Sequence, residues 1–311
     1  MTAQVNAKPR GRQFFNNPGP TNIPDRVLRA MDRPVMDFLA PEFLEIQRVC
    51  TAGIKRIFKT DQELFFHAST GHGAWEAAVA NLFSPGELVL VIETGYFSLG
   101  FKELAEAMGL RVEMLPADWR KGLVIDKLTE RLTADKSHEI KAVLAVHNET
   151  ATGLFLPMAD VRRALDQAKH PALLLADTIS SLGSMEYKMD AWGIDVTIAG
   201  SQKGLMLPPG LSFNAVSAKA LEASKSARLP RSFWDWGEMI ASNKDGYFPY
   251  TPATNLLYGL REALLLAVLE GLPYEVIASH TGVSVGTVKS RISRARDTLE
   301  RLLLEGEGHA P

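Results

Sequence analysis

A chain of 311 residues, 46% hydrophobic and 23% charged, has the balance of an ordinary globular protein, long enough for one large α/β domain or two smaller ones. Its formal charge of −2 excludes a general attraction to nucleic acid or membranes, so any such role has to come from a local patch. The lone cysteine, Cys50, excludes an internal disulfide framework; it reads as a small core residue and fits a reducing cytoplasm.

Residues 1–13 are polar and basic, lack the apolar stretch of a secretory leader, and read as a flexible tail. From there to about residue 215, apolar runs with strand character alternate with helical patterns: "ELFFHAS", "ELVLVIE", "RVEMLPA", "KAVLAVHNE", "ALLLADT", "VTIAGS" and "LSFNAVS". Runs such as Ala142–Val146 and Ala172–Ala176 are apolar throughout, as strands covered on both faces must be, so the spacing predicts an α/β domain built on a mostly parallel sheet. The longest apolar run, Ala263 to Leu269, is far below the roughly 20 residues that cross a bilayer, so neither a membrane span nor a membrane partner is expected, and the cytoplasm is the expected location.

In such a sheet, chemistry gathers where the carboxyl ends of strands run into loops. The polar residues there are Ser69–Gly73, Glu93–Phe97, His147–Thr150, Asp177–Thr178 and Gly200–Lys203. "STGHGAWEAAVANLF" sets small and polar residues before a helix; its first N–H groups and the Thr70 hydroxyl would cradle a phosphate, although many such turns are only tight turns. Asp177, after five apolar or small residues, is either a helix cap or a buried partner for a cation. Lys203 follows a strand inside a Gly/Pro-rich turn. A loop lysine is ordinarily a solvated charge, but at the lip of a buried sheet desolvation favours the neutral amine, which attacks carbonyls. Phosphate cradle, strand-end acid and strand-end lysine together are what pyridoxal 5′-phosphate requires, and no metal is expected.

"NNPGPTNIP", "STGHGAWEA", "VHNETATG", "HPALLLADTISSLG", "AGSQKGLMLPPG", "FWDW" and "PYTPATNLLYGLREAL" resemble, in order and over residues 14 to about 264, the class V aminotransferases, most closely those acting on serine or alanine with glyoxylate. The resemblance implies a pyridoxal-phosphate-dependent transferase of fold type I, with its large domain at 14–260. It matches Lys203 to the lysine that holds the cofactor as a Schiff base and Asp177 to the acid paired with the pyridine nitrogen. Thr70, Gly71 and His72 match the phosphate turn and Gln202 a further phosphate ligand. Phe97 matches the aromatic stacked on the ring, and Thr150 a hydroxyl near the ring oxygen. Thr251 matches a residue that reaches the phosphate from a second subunit, which implies a homodimer, and Gly19 lies where the N-terminal segment approaches substrate.

Beyond Leu264 the resemblance changes. Such aminotransferases continue into a smaller domain with an arginine for the substrate carboxylate, and weakened turnover is expected without it. Residues 261–304 instead resemble region 4 of sigma-70-type factors of the extracytoplasmic-function class, with a tail at 305–311; Arg261-Glu262-Ala263-Leu264 suits both patterns. A helix stopped by Gly271-Leu272-Pro273, a short helix from Tyr274 to His280, a turn at Thr281-Gly282-Val283 and a helix from Val285 make a small all-α helix-turn-helix. "SVGTVKSRISRAR" carries four basic residues and no acid, and Thr287, Lys289, Ser290, Arg291, Arg294 and Arg296 would contact DNA. An aminotransferase is the first expectation. A cofactor-sensing DNA-binding regulator, or a fusion in which neither activity is intact, is the alternative.

Overall fold

Strands made of Val, Leu and Ala with almost no charge need cover on both faces, and the chain supplies it by following most strands with a helix. The computed structural model describes residues 17–244 and 246–269; the six residues expected to contact DNA, and the helix-turn-helix after residue 269, lie outside them. Two helices come first, α1 (Asp25–Met31) and α2 (Pro41–Phe58). The alternation then runs β1 (Glu63–His67), α3 (Gly71–Leu82), β2 (Leu88–Glu93), α4 (Tyr96–Ala107), β3 (Arg111–Pro116), α5 (Ile125–Ala134), β4 (Ile140–Val146), α6 (Met158–Gln167) and β5 (Leu173–Asp177). It closes with β6 (Val196–Gly200), β7 (Ser212–Val216), α7 (Ala218–Ser224), α8 (Trp236–Asn243) and α9 (Thr254–Leu269). Every apolar run read as a strand is one.

The strands form one sheet in the order β1-β7-β6-β5-β4-β2-β3. Neighbours from β3 to β6 are parallel, whereas β7 runs antiparallel to both β6 and β1. β5, β6 and β7 are buried along their whole length, as their mostly apolar sequences require, with the buried polar side chains of Asp177, Thr197, Ser212 and Asn214 among them. α3 packs closely on them because its inner face is Ala74, Ala77, Ala78 and Val79, small enough to bring the helix axis near the sheet. β1 is held at its edge by side chains as well as by its ladder: buried His67 shares a 2.9 Å hydrogen bond between Nε2 and Asn214 Oδ1, and Asn214 Nδ2 donates to Ala74 O at 3.1 Å. Cys50 is buried on α2, its thiol pushed up to about 12 by burial, which suits a packing role and not a reactive one.

The chain divides into two compact units, Met1–Ala263 and Leu264–Pro311. Of the second, only the end of α9 is described. No described helix is long and apolar enough to cross a membrane, and no described group of three or more His, Cys, Asp or Glu is placed to hold a metal ion.

Candidate active site

Parallel strands deliver their carboxyl ends to one rim of the sheet, and a cavity of about 400 Å³ opens there. Its wall contains Gly19, Gly71, His72, Phe97, Thr150, Asp177, Gln202 and Lys203, eight residues expected at the site from sequence. Thr70 is exposed, one residue before α3, and makes no side-chain cap to that helix. Thr251 is exposed and lines a separate small apolar pocket with Phe66, Phe233 and Tyr250, so this chain does not bring it to the cavity it lines for itself.

Asp177 is the last residue of β5 and is buried. Trp75 Nε1 donates to its Oδ2 at 2.9 Å and the Ile179 N–H to its Oδ1 at 2.7 Å. Burial pushes its carboxyl up to about 7; the two hydrogen bonds and the charge of Lys203 pull the other way, and the charge of Glu149 adds to the rise. Trp75 is itself fixed by stacking on Phe101 of α4, centroids 4.8 Å apart and planes 4° off parallel. A carboxyl in this state suits a cationic partner inside the cavity, which would let it ionise.

Lys203 lies three residues past β6 in a turn that only glycine can follow, since a Cβ on Gly204 would stand 2.1 Å from Leu182 O. The N-terminal segment runs along the lysine side chain. The Thr21 N–H donates to Gln202 O at 2.9 Å, Thr21 Oγ1 donates to Lys203 O at 3.1 Å, and a Cβ on Gly19 would meet Lys203 Cε at 2.9 Å. Lys203 Nζ donates to Ser180 Oγ at 2.9 Å and to Thr150 Oγ1 at 3.0 Å, two hydroxyls in close contact with each other. It stands 5.6 Å from the centroid of the Phe97 ring. Burial lowers its pKa, opposed by the charges of Asp177 and Glu149, so the neutral amine is easier to reach than on an exposed lysine.

The other end of the cavity suits an anion. α3 begins at Gly71, where a Cβ would fall 2.2 Å from Ile179 Cδ1, so the helix start lies close against the β5 loop with its unsatisfied N–H groups and positive dipole end. At the same wall the side-chain oxygen of Gln202 is buried without a hydrogen-bond partner among the described residues, an acceptor left for a donor group; toward a phosphate it is the amide N–H groups of Gln202 that can serve. Anion-binding helix start, buried acid and desolvated amine around one cavity fit the phosphate, ring nitrogen and aldehyde of pyridoxal 5′-phosphate.

Sequence reasoning did not assign roles to Trp75, Ser180 or Glu149. Trp75 fits the helical core pattern as well as the site, and Ser180 sits in a serine-containing turn of a common kind. Glu149 stands in the strand-end stretch His147–Thr150, and that position was its one sequence signal.

The profile of the family "Aminotransferase class-V" matches residues 13–298, a span that takes in most of the segment read as a helix-turn-helix. A serine–glyoxylate aminotransferase of Hyphomicrobium methylovorum is 48% identical over 272 residues, covering 86% of this chain and 67% of the relative. An L-aspartate–glyoxylate aminotransferase of Paracoccus denitrificans (strain Pd 1222) is 46% identical over 270 residues, 86% of this chain and 68% of the relative. Among solved structures, an alanine–glyoxylate aminotransferase of Nostoc sp. superposes with a TM-score of 0.78 at 30% identity over 87% of this chain and 71% of that one. The chain thus spans about two thirds of the length of these relatives.

Proposed function

The chain belongs to the class V aminotransferase family, and from that premise we propose that it transfers the amino group of a small amino acid, serine or alanine, to glyoxylate, with pyridoxal 5′-phosphate as cofactor. The observation that carries the reading is the pairing of a buried Asp177 with a desolvated Lys203 across one cavity. The cofactor, when bound, supplies an electron sink that stabilises a carbanion at the substrate Cα. In this reading Asp177, ionised beside a cationic partner, would hold a proton on the pyridine nitrogen and so keep that sink strong. Lys203 Nζ would hold the cofactor's aldehyde carbon, and with its amine neutral and free it would take the proton from the substrate Cα and return it on the other side of the transfer. Ser180 and Thr150 orient that amine through their two hydroxyls. Gly71, His72, Gln202 and Thr70, the residue before α3, would hold the phosphate, Phe97 would pack on the ring, and Gly19 would bring the N-terminal segment to the substrate side.

A second copy of the chain would supply Thr251. Support comes from the exposed Phe233 and Tyr250 beside it, rings 4.9 Å apart, an aromatic face of the kind subunit interfaces cover. The expectation that this chain lacks the carboxylate-binding arginine such aminotransferases carry beyond the point matching Leu264, and so turns over slowly, falls on residues after 269 and lies outside the described residues. The test is glycine formation from glyoxylate with L-serine, L-alanine or L-aspartate as donor, on protein that light scattering shows to be dimeric. Serine or alanine should give product, and cofactor-loaded protein that yields none with any donor would sink the reading.

For residues 261–304 the finer reading is a DNA-contacting helix-turn-helix. The division of the chain after Ala263 and the acid-free basic run around Lys289–Arg296 favour it; the family profile reaching residue 298 speaks against it. Four phosphate contacts from Lys289, Arg291, Arg294 and Arg296 give a log–log salt slope of roughly 3 to 4. Neutralising all four should remove binding to duplex DNA, and retention of the wild-type slope would exclude this face.

A further inference from the structure

Glu149 is a fully buried carboxylate that the chemistry above does not use. It is met by backbone N–H groups from two different segments. Phe97 N–H donates to both of its oxygens, at 3.2 and 3.1 Å, and Ser98 N–H donates to Oε2 at 3.2 Å; both belong to the first turn of α4. Ala151 N–H, from the loop after β4, donates to Oε1 at 3.1 Å. The residue before α4 leaves room for nothing else, since a Cβ on Gly95 would stand 2.6 Å from Glu149 Cγ. A second tie between the same segments, Thr152 Oγ1 donating to Thr94 O at 3.1 Å, closes the junction.

Each segment bound by this carboxylate carries one wall of the cavity. α4 presents Phe97, 5.6 Å from Lys203 Nζ, and the β4 loop presents Thr150, whose hydroxyl lies 3.0 Å from the same nitrogen. A buried charge is tolerated here because the α4 dipole and its unsatisfied N–H groups replace the water it has lost. We propose that Glu149 is a positioning residue that locks the Phe97 and Thr150 walls in register around Lys203, an inference that rests on the aminotransferase reading. Its charge has a second effect. The charged groups around the Lys203 amine are Asp177 from β5 and Glu149 from the β4 loop, with His72 from α3 at the cavity wall, and both carboxylates favour the protonated amine.

Two variants separate geometry from charge. Glu149→Gln keeps the shape but loses the charge and turns an N–H-bearing group toward the backbone donors. Its affinity for pyridoxal 5′-phosphate should fall roughly 10- to 100-fold, the usual effect of removing an outer partner that orients ligand-contacting groups. In the same variant, stripped of cofactor, the pH midpoint for acylation of Lys203 should move down; kcat should fall while KM for the amino donor changes little. Glu149→Asp keeps the charge but shortens the reach, so the midpoint should stay while cofactor affinity falls. A folded Gln variant with wild-type affinity and midpoint overturns the proposal, and so does an Asp variant with wild-type affinity should the Gln variant not fold. If the wild-type protein itself takes no borohydride-fixed cofactor at Lys203, the aminotransferase reading fails instead, and the midpoint still reports whether Glu149 acts on the amine.

Discussion

Replacing Lys203 with alanine is expected to lower transamination by roughly 10²- to 10⁴-fold or more, the range lost when a positioned acid–base group is removed, and to abolish the covalent link to the cofactor. No other described lysine is placed to substitute for it. Nζ is held between two hydroxyls at 2.9 and 3.0 Å, at the end of a loop pinned from both sides by the N-terminal segment and by Gly204. Borohydride reduction of wild-type protein loaded with cofactor, followed by peptide mapping, should place the label on Lys203 alone, and the alanine variant should carry none. A label on a different lysine, or a variant that retains most of its turnover, would remove Lys203 from the reaction. The fold should survive, because the amine's contacts are to two hydroxyls that remain hydrogen-bonded to each other.

Asp177→Asn is expected to cost roughly a hundred- to several-thousand-fold in kcat/KM, the kinetic equivalent of the 3–5 kcal/mol lost when one member of a buried charge pair is removed. Asparagine fits the same space and still accepts from Trp75 Nε1 or the Ile179 N–H, but it cannot hold a positive charge on the ring nitrogen. Stability should respond in the opposite sense. Burial pushes the carboxyl up to about 7 in the folded, cofactor-free chain, from the 3.8 of a solvated aspartate, so its proton is bound more tightly when folded. The contribution is fully present below pH 3.8 and is lost as pH rises through 7, on the order of a few kcal/mol in all. The cofactor-free asparagine variant should therefore lack this decline and exceed wild type in Tm at pH 8, while falling far below it in turnover. Equal pH dependence of Tm in the two proteins would show that Asp177 is not held protonated by burial.

The sheet was legible from sequence because its signal is local: a strand covered on both faces must be apolar at every position, and "ALLLA" and "AVLAV" have few other uses. Strand direction was not legible. "LSFNAVS" reads like its neighbours, yet β7 enters the sheet reversed, and nothing in side-chain periodicity encodes polarity of the chain. Asp177, Lys203 and Gly71 could be found because each stands at a strand end or helix start where few residue types serve. Glu149 could not be given a role, since apart from the nearby Ala151 its partners are backbone N–H groups of Phe97 and Ser98, some 50 residues away, which leave no trace in composition or spacing. Ser180 was hidden for a related reason: a serine in a turn is ordinary until the fold sets it beside an amine.

The reversed strand also bears on how the chain is made. β1, at residues 63–67, has as its ladder partner a strand at residues 212–216. At a synthesis rate of about 5–20 residues per second, Leu64, Phe65 and Phe66 leave the ribosome on the order of ten seconds before anything exists to pair with them. The strands β2 to β5 have all been synthesised before then, so every partner in the parallel part of the sheet is present while the one ladder partner of β1 is still missing. Until β7 is made, the apolar side chains of β1 have no ladder partner, which makes this strand the part of the sheet most exposed to pairing with another chain.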